Sequence, residues 1–275
     1  MLLSFGMNGI GFNNMKEIIL KTDCLCKSYP LDGKEAPVLS NINMEIYKRD
    51  FTVIMGNSGA GKSTLLYLLS GMDNLTSGAI YLNNLPIHQL NENKLSFQRK
   101  QNIGFVFQQI HLLHNLTVLE NIILPGFLLK KQAKKEVIEK AMSLLEQLGM
   151  SSYANYLPSQ LSGGEKQRVA VIRSIINNPL ILFADEPTGA LNSKMGKEVL
   201  DILTALNEAG QTIVMVTHDI KACVRGNRIL YLYDGKLSGE KKMDKYEAEN
   251  RLEREKAMLL WLEKLGGEYG YIYSL

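Results

Sequence analysis

Apolar and polar positions begin to alternate at Lys16. Ile18, Ile19 and Leu20, then Ile42, Met44 and Ile46 spaced by two, flank a break at Pro30, Asp32 and Gly33. Two antiparallel strands at a sheet edge follow from that spacing. Residues 51–55 form a short apolar run that ends in glycine, and 65–69 are long-chain and helix-favouring, which predicts strand, tight loop, helix. Further apolar runs at 103–107, 180–184, 212–217 and 229–233 read as buried strands with helical stretches between several of them. The pattern predicts an α/β sheet.

The stretch from 109 to about 160 is different. It holds no convincing strand, and in it Val137, Ala141, Leu144, Leu145 and Leu148 share one helical face ahead of Gly149. A helical subdomain inserted into the sheet domain is expected there. Residues 239–275 carry dense charge of both signs and turn apolar at 258–262, which predicts a C-terminal amphipathic helix, docked on its own domain or, as the alternative, serving as a regulator, with Trp261 as a reporter. Residues 1–15 lack Lys and Arg and read as a loose extension. Lys130, Lys131, Lys134 and Lys135 read as a solvated helix start, with proximity to membrane lipid as the sharper alternative.

Composition narrows the class. In 275 residues, 45% are hydrophobic and 21% charged, which excludes collagenous and wholly disordered chains. Thirty-one Lys and Arg against 28 Asp and Glu leave only +3, so no nucleic acid partner is expected. Cys24, Cys26 and Cys223 are too few for a disulfide framework, which suits a reducing, cytoplasmic compartment. No apolar run is long enough to cross a membrane.

The candidate chemistry starts at residues 56–64: Gly56, Asn57, Ser58, Gly59, Ala60, Gly61, Lys62, Ser63 and Thr64. This is a phosphate-binding loop in its required context, after a strand and opening a helix. Its glycines allow a tight turn whose N–H groups face phosphate oxygens, and the helix start adds its positive dipole end. Lys62 is expected on the β- and γ-phosphates of a nucleotide and the Ser63 hydroxyl on Mg²⁺. At the carboxyl end of the strand 180–184, Asp185 is placed to hold the Mg²⁺ shell, and Glu186 is the expected general base for the attacking water. His88, His111 and His114 have no metal-ligand spacing and are expected at the surface.

Leu161-Ser-Gly-Gly-Glu-Lys-Gln-Arg-Val-Ala170 resembles the signature sequence of ATP-binding cassette (ABC) proteins. The order of motifs agrees: phosphate loop at 56, Gln108, signature at 161, Asp185, then Thr217-His218. The resemblance spans about residues 16–238, the expected ATP-binding domain. It implies the ABC ATPase fold, a P-loop core with an antiparallel β edge subdomain and an inserted helical subdomain. By the same resemblance, Ser162, Gly163 and Gly164 close on the γ-phosphate held by a second subunit, making a head-to-tail dimer with two ATP molecules between. Gln108 matches the glutamine that meets Mg²⁺ and water, and His218 the switch histidine on the γ-phosphate. Tyr29 matches the aromatic that stacks on adenine, although a tyrosine near a turn also serves as plain surface packing. Asn192 departs from the pattern, for the family usually has Asp there.

The phosphate loop and the signature lie too close for the coiled coil of repair-type relatives. The wording around 38–42, 103–108, 115–122 and 184–192 is similar to the macrolide-exporter, lipoprotein-release and bacitracin-resistance group. That likeness implies an ATPase at the cytoplasmic face of the membrane that drives a separate transmembrane permease docked on about 109–121, for peptide-antibiotic resistance or for lipid or peptide export. Alternatives are a cell-division cassette of the same group and a soluble cassette ATPase acting on a ribosome or DNA.

Overall fold

A computed structural model describes residues 16–31 and 33–269, so the expected N-terminal extension, 1–15, lies outside the described residues. Strands β1 (Ile18–Leu31) and β2 (Lys34–Tyr47) are the expected antiparallel pair, paired from Ile18 opposite Tyr47 to Leu31 opposite Lys34. After β3 (Phe51–Met55) and helix α1 (Lys62–Leu69), strands β4 (Ser77–Leu82) and β5 (Leu85–Pro86) extend that hairpin into a four-stranded sheet, ordered β2-β1-β4-β5. The chain then forms α2 (Glu92–Asn102) and β6 (Ile103–Val106).

The helical insertion follows as α3 (Val118–Leu129) and α4 (Lys134–Gln147). A reciprocal capping box between Thr117 and Glu120 starts α3. Val137, Ala141 and Leu145 of α4 are buried, with the 3.6-residue spacing that the sequence carries, in a separate cluster with Val118, Ile122, Val169 and Ile172.

The chain returns to the core through α5 (Gly163–Ile175), β7 (Ile181–Asp185), α6 (Ser193–Glu208), β8 (Thr212–Thr217), α7 (Ile220–Cys223) and β9 (Arg228–Tyr233). It ends in β10 (Lys236–Lys242) and α8 (Arg251–Tyr269). The second sheet is ordered β10-β9-β3-β8-β7-β6, parallel except for β10. Its central strands are buried on both faces, hence their continuous apolar runs. In β3, Ile54 faces α1 and the four-stranded sheet, while Phe51, Val53 and Met55 face α5, α6 and α8. The tail differs from expectation at its start, because β10 carries the chain through Lys242 and the helix begins only at Arg251.

Candidate functional site

The parallel strands β3, β7 and β8 deliver their carboxyl ends to one edge of the sheet, and the candidate residues gather there. Between β3 and α1, Gly61 adopts φ +94°, and no side chain caps α1. The first N–H groups of that helix therefore remain free to meet an anion. A Cβ on Gly56 would lie 2.1 Å from the Leu232 carbonyl oxygen, so β9 leaves the loop no room for a side chain. Lys62 folds back across the loop and donates to the Asn57 carbonyl at 2.8 Å. Desolvation lowers its pKa, against the pull of Glu186 and Asp185.

Ser63 donates its hydroxyl to Asp185 at 2.9 Å, joining the start of α1 to the end of β7. Burial pushes the Asp185 carboxyl above its ordinary value, opposed by hydrogen bonds from Ser63 and Tyr67. Sequence reasoning missed Tyr67, yet it stands four residues after Ser63, on the same side of α1. Hydroxyl and carboxylate oxygens are the hard donors Mg²⁺ prefers, so this pair fits the ion together with nucleotide phosphate oxygens.

Glu186 follows at once, in the left-handed region at φ +41°, with its amide bonded to the Val216 carbonyl of β8. Its carboxylate is thereby turned to two neighbours. His218 Nδ1 lies 3.0 Å from one oxygen, and Gln108 Nε2 is at 3.5 Å from the other. Gly189 keeps this corner open, since a Cβ there would sit 3.3 Å from Gln108 Nε2. The segment around Gln108 is also held from α5: buried Gln167 donates to the Phe107 carbonyl, and Arg173 to those of Ile110 and His111. Neither anchor was singled out from the sequence.

The structure brings Lys62, Ser63, Gln108, Asp185, Glu186 and His218 together. Ser162, Gly163 and Gly164 instead gather at the start of α5 beside the 191–195 segment, where Gly164 has Met195 within 2.9 Å of its would-be Cβ. Ser162 caps α5 in a reciprocal box with Glu165. Asn192 caps α6 by accepting from the Met195 amide at 3.0 Å. Tyr29 stands on β1 with its phenol bonded to Asp73. His88 is half-buried against the backbone of Ile80 rather than at the open surface.

The sequence profile of the family described as "ABC transporter" matches residues 39–189. An ABC transporter ATP-binding protein of Methanocaldococcus jannaschii, MJ0796, is 42% identical over 230 residues, covering 82% of this chain and 97% of the relative. The lipoprotein-releasing system ATP-binding protein LolD of Wigglesworthia glossinidia brevipalpis is 42% identical over 226 residues, with the same two coverages. Among solved structures, the dimeric post-hydrolysis state of MJ0796 bound to ADP and phosphate superposes with a TM-score of 0.76 at 40% identity, covering 82% of this chain and all of that one.

Proposed function

The chain belongs to the ABC transporter family as an ATP-binding, ATP-hydrolysing subunit, and from that premise we propose that two copies close on two ATP molecules and so drive a separate membrane permease. One observation carries the catalytic part: Glu186 stands beside the Ser63–Asp185 pair with Gln108 and His218 on its two carboxylate oxygens. In this reading the loop 56–64 wraps the phosphates and Lys62 meets the β- and γ-oxygens. Bound through Ser63, Asp185 and Gln108, Mg²⁺ would neutralise phosphate charge. Glu186 accepts a proton from the water that attacks the γ-phosphorus, and ADP leaves with phosphate as the other product. His218 orients Glu186 and meets the γ-phosphate. Ser162, Gly163 and Gly164 of the second copy cover that phosphate from the other side.

The permease reading is supported by an open cavity of about 380 Å³ between the sheet and the helical insertion. Apolar Phe107, Leu113, Leu124, Pro125 and Leu128 line it, with Leu113 and Leu128 exposed. A helix of the permease fits this apolar groove beside Gln108, so that its movement and the nucleotide site are joined. Likeness to LolD and to the wider macrolide-exporter, lipoprotein-release and bacitracin-resistance group favours a permease that handles lipids or antimicrobial peptides at the cytoplasmic face of the membrane. No helix among the described residues is long and apolar enough to span a bilayer, consistent with a separate membrane partner.

The test is capture of partners by tagged Glu186→Gln protein with ATP from gently solubilised membranes, read by mass spectrometry. A multi-span permease is expected. Recovery of ribosomal or DNA-repair proteins with no permease would overturn the reading.

A further inference from the structure

Tyr29 stands apart from the catalytic cluster, and its surroundings are more constrained than a surface tyrosine requires. Its side chain is 39% exposed, yet its phenol donates to Asp73 Oδ2 at 2.6 Å. The other oxygen of Asp73 accepts from Lys27 Nζ at 2.8 Å and from the Asn74 amide at 2.7 Å. Lys27, only 7% exposed, also donates to the Asn74 carbonyl at 2.6 Å, and its ammonium lies 4.4 Å from the centroid of the Tyr29 ring. One face of that ring is therefore covered by a buried cation.

The tether has a direction. Asp73 belongs to the turn that closes α1, where its amide bonds the Tyr67 carbonyl of the helix. The same helix begins with Lys62 and Ser63. Asp73 thus joins a ring on β1 to the helix whose first turn carries the phosphate-facing groups. A base stacked on a freely rotating tyrosine would have to order that side chain on binding, at a cost in rotamer entropy. Here the ring is ordered beforehand.

We propose that Asp73 and Lys27 are positioning residues for the nucleotide base: they lock Tyr29 as a preformed stacking platform at a set distance from the phosphate loop. The inference rests on the reading of Tyr29 as the adenine-stacking residue and goes beyond it. Because the phenol hydroxyl is spent on Asp73, the platform recognises the base through its face.

The test compares Tyr29→Phe, Asp73→Asn, Tyr29→Phe/Asp73→Asn and Tyr29→Ala by calorimetric binding of ATP and of inorganic tripolyphosphate, alongside KM and kcat. Tyr29→Phe removes one hydroxyl from an exposed edge and leaves the fold intact. Each single tether variant is expected to weaken ATP binding about threefold to tenfold, the size of one net hydrogen bond, with tripolyphosphate binding unchanged. KM should rise with kcat retained, and the double variant should be no weaker than the singles. Equal weakening of ATP and tripolyphosphate, or additive losses, overturns the positioning role. So does native ATP affinity in Tyr29→Phe and Asp73→Asn while Tyr29→Ala is weak, a result that spares the stacking role of Tyr29. Native ATP affinity in Tyr29→Ala overturns both.

Discussion

Glu186 occupies a backbone conformation that costs an ordinary residue about 1 kcal/mol, and it does so at the corner where β7 hands the chain to the next loop. The hydrogen bond that the Glu186 amide donates to the Val216 carbonyl holds that corner in place, which aims the carboxylate between Gln108 and His218. Glu186→Gln keeps the shape and removes the proton acceptor. Its turnover is expected to fall by about 10²- to 10⁴-fold with nucleotide binding retained. Steady-state hydrolysis beside equilibrium binding measures both, and near-native hydrolysis would remove Glu186 as the base. Asn192 shows a different economy. It caps α6 through Oδ1, an atom that Asp would supply equally well, and the two residues rank together as caps. Asn192→Asp is therefore expected to melt within about 0.5 kcal/mol of the native protein. A change in its ATPase rate against that unchanged stability would report the proposed contact between subunits.

At the scale of elements, edges decide how well a pattern can be read. The strands β3, β7 and β8 are apolar at nearly every position because both faces are covered, and they stand where the sequence predicts them. β10 is the opposite case: an outer strand with Glu240, Lys241 and Lys242 in it, a run of charge that imitates the start of a polar helix. What makes it a strand is its partner. Arg228 of β9, almost fully buried, reaches both carboxylate oxygens of Glu240 at 2.9 and 3.1 Å and also bonds the Glu45 carbonyl of β2. Hydrogen bonding from Arg228 holds the Glu240 carboxyl below its ordinary pKa. A depressed folded-state value means that this carboxylate stabilises the fold above the unfolded pKa, and that the contribution disappears as pH falls through the folded value. Glu240→Gln is thus expected to lower the melting temperature at neutral pH, with the difference vanishing in acid. Parallel melting curves for the two proteins across that range would contradict it.

For the whole molecule, the C-terminal helix is part of the core. Met258, Leu262 and Leu265 of α8 are buried in the same cluster as Phe51, Val53, Met215 and Tyr231 of the central sheet. Arg254, buried on that face, donates to the carbonyls of Val224, Gly226 and Asp244 at 2.9, 2.6 and 2.7 Å. Trp261, the single tryptophan, meets Tyr231 of β9 edge to face at 6.3 Å. Its fluorescence should therefore follow the sheet, with one denaturant transition that coincides with far-ultraviolet circular dichroism. An earlier tryptophan transition would mean that α8 peels away first. The sequence by itself determined the nucleotide chemistry of this protein and most of its buried strands. A phosphate loop, a strand-end Asp-Glu pair and a two-sided apolar run are local patterns, legible within a dozen residues. The tertiary structure alone decided which distant groups meet: Gln108 and His218 on Glu186, Asp73 on Tyr29, Arg228 on Glu240. Those contacts depend on strand order and helix placement, which bring together residues 12 to 78 positions apart, and no spacing along the chain encodes such a meeting.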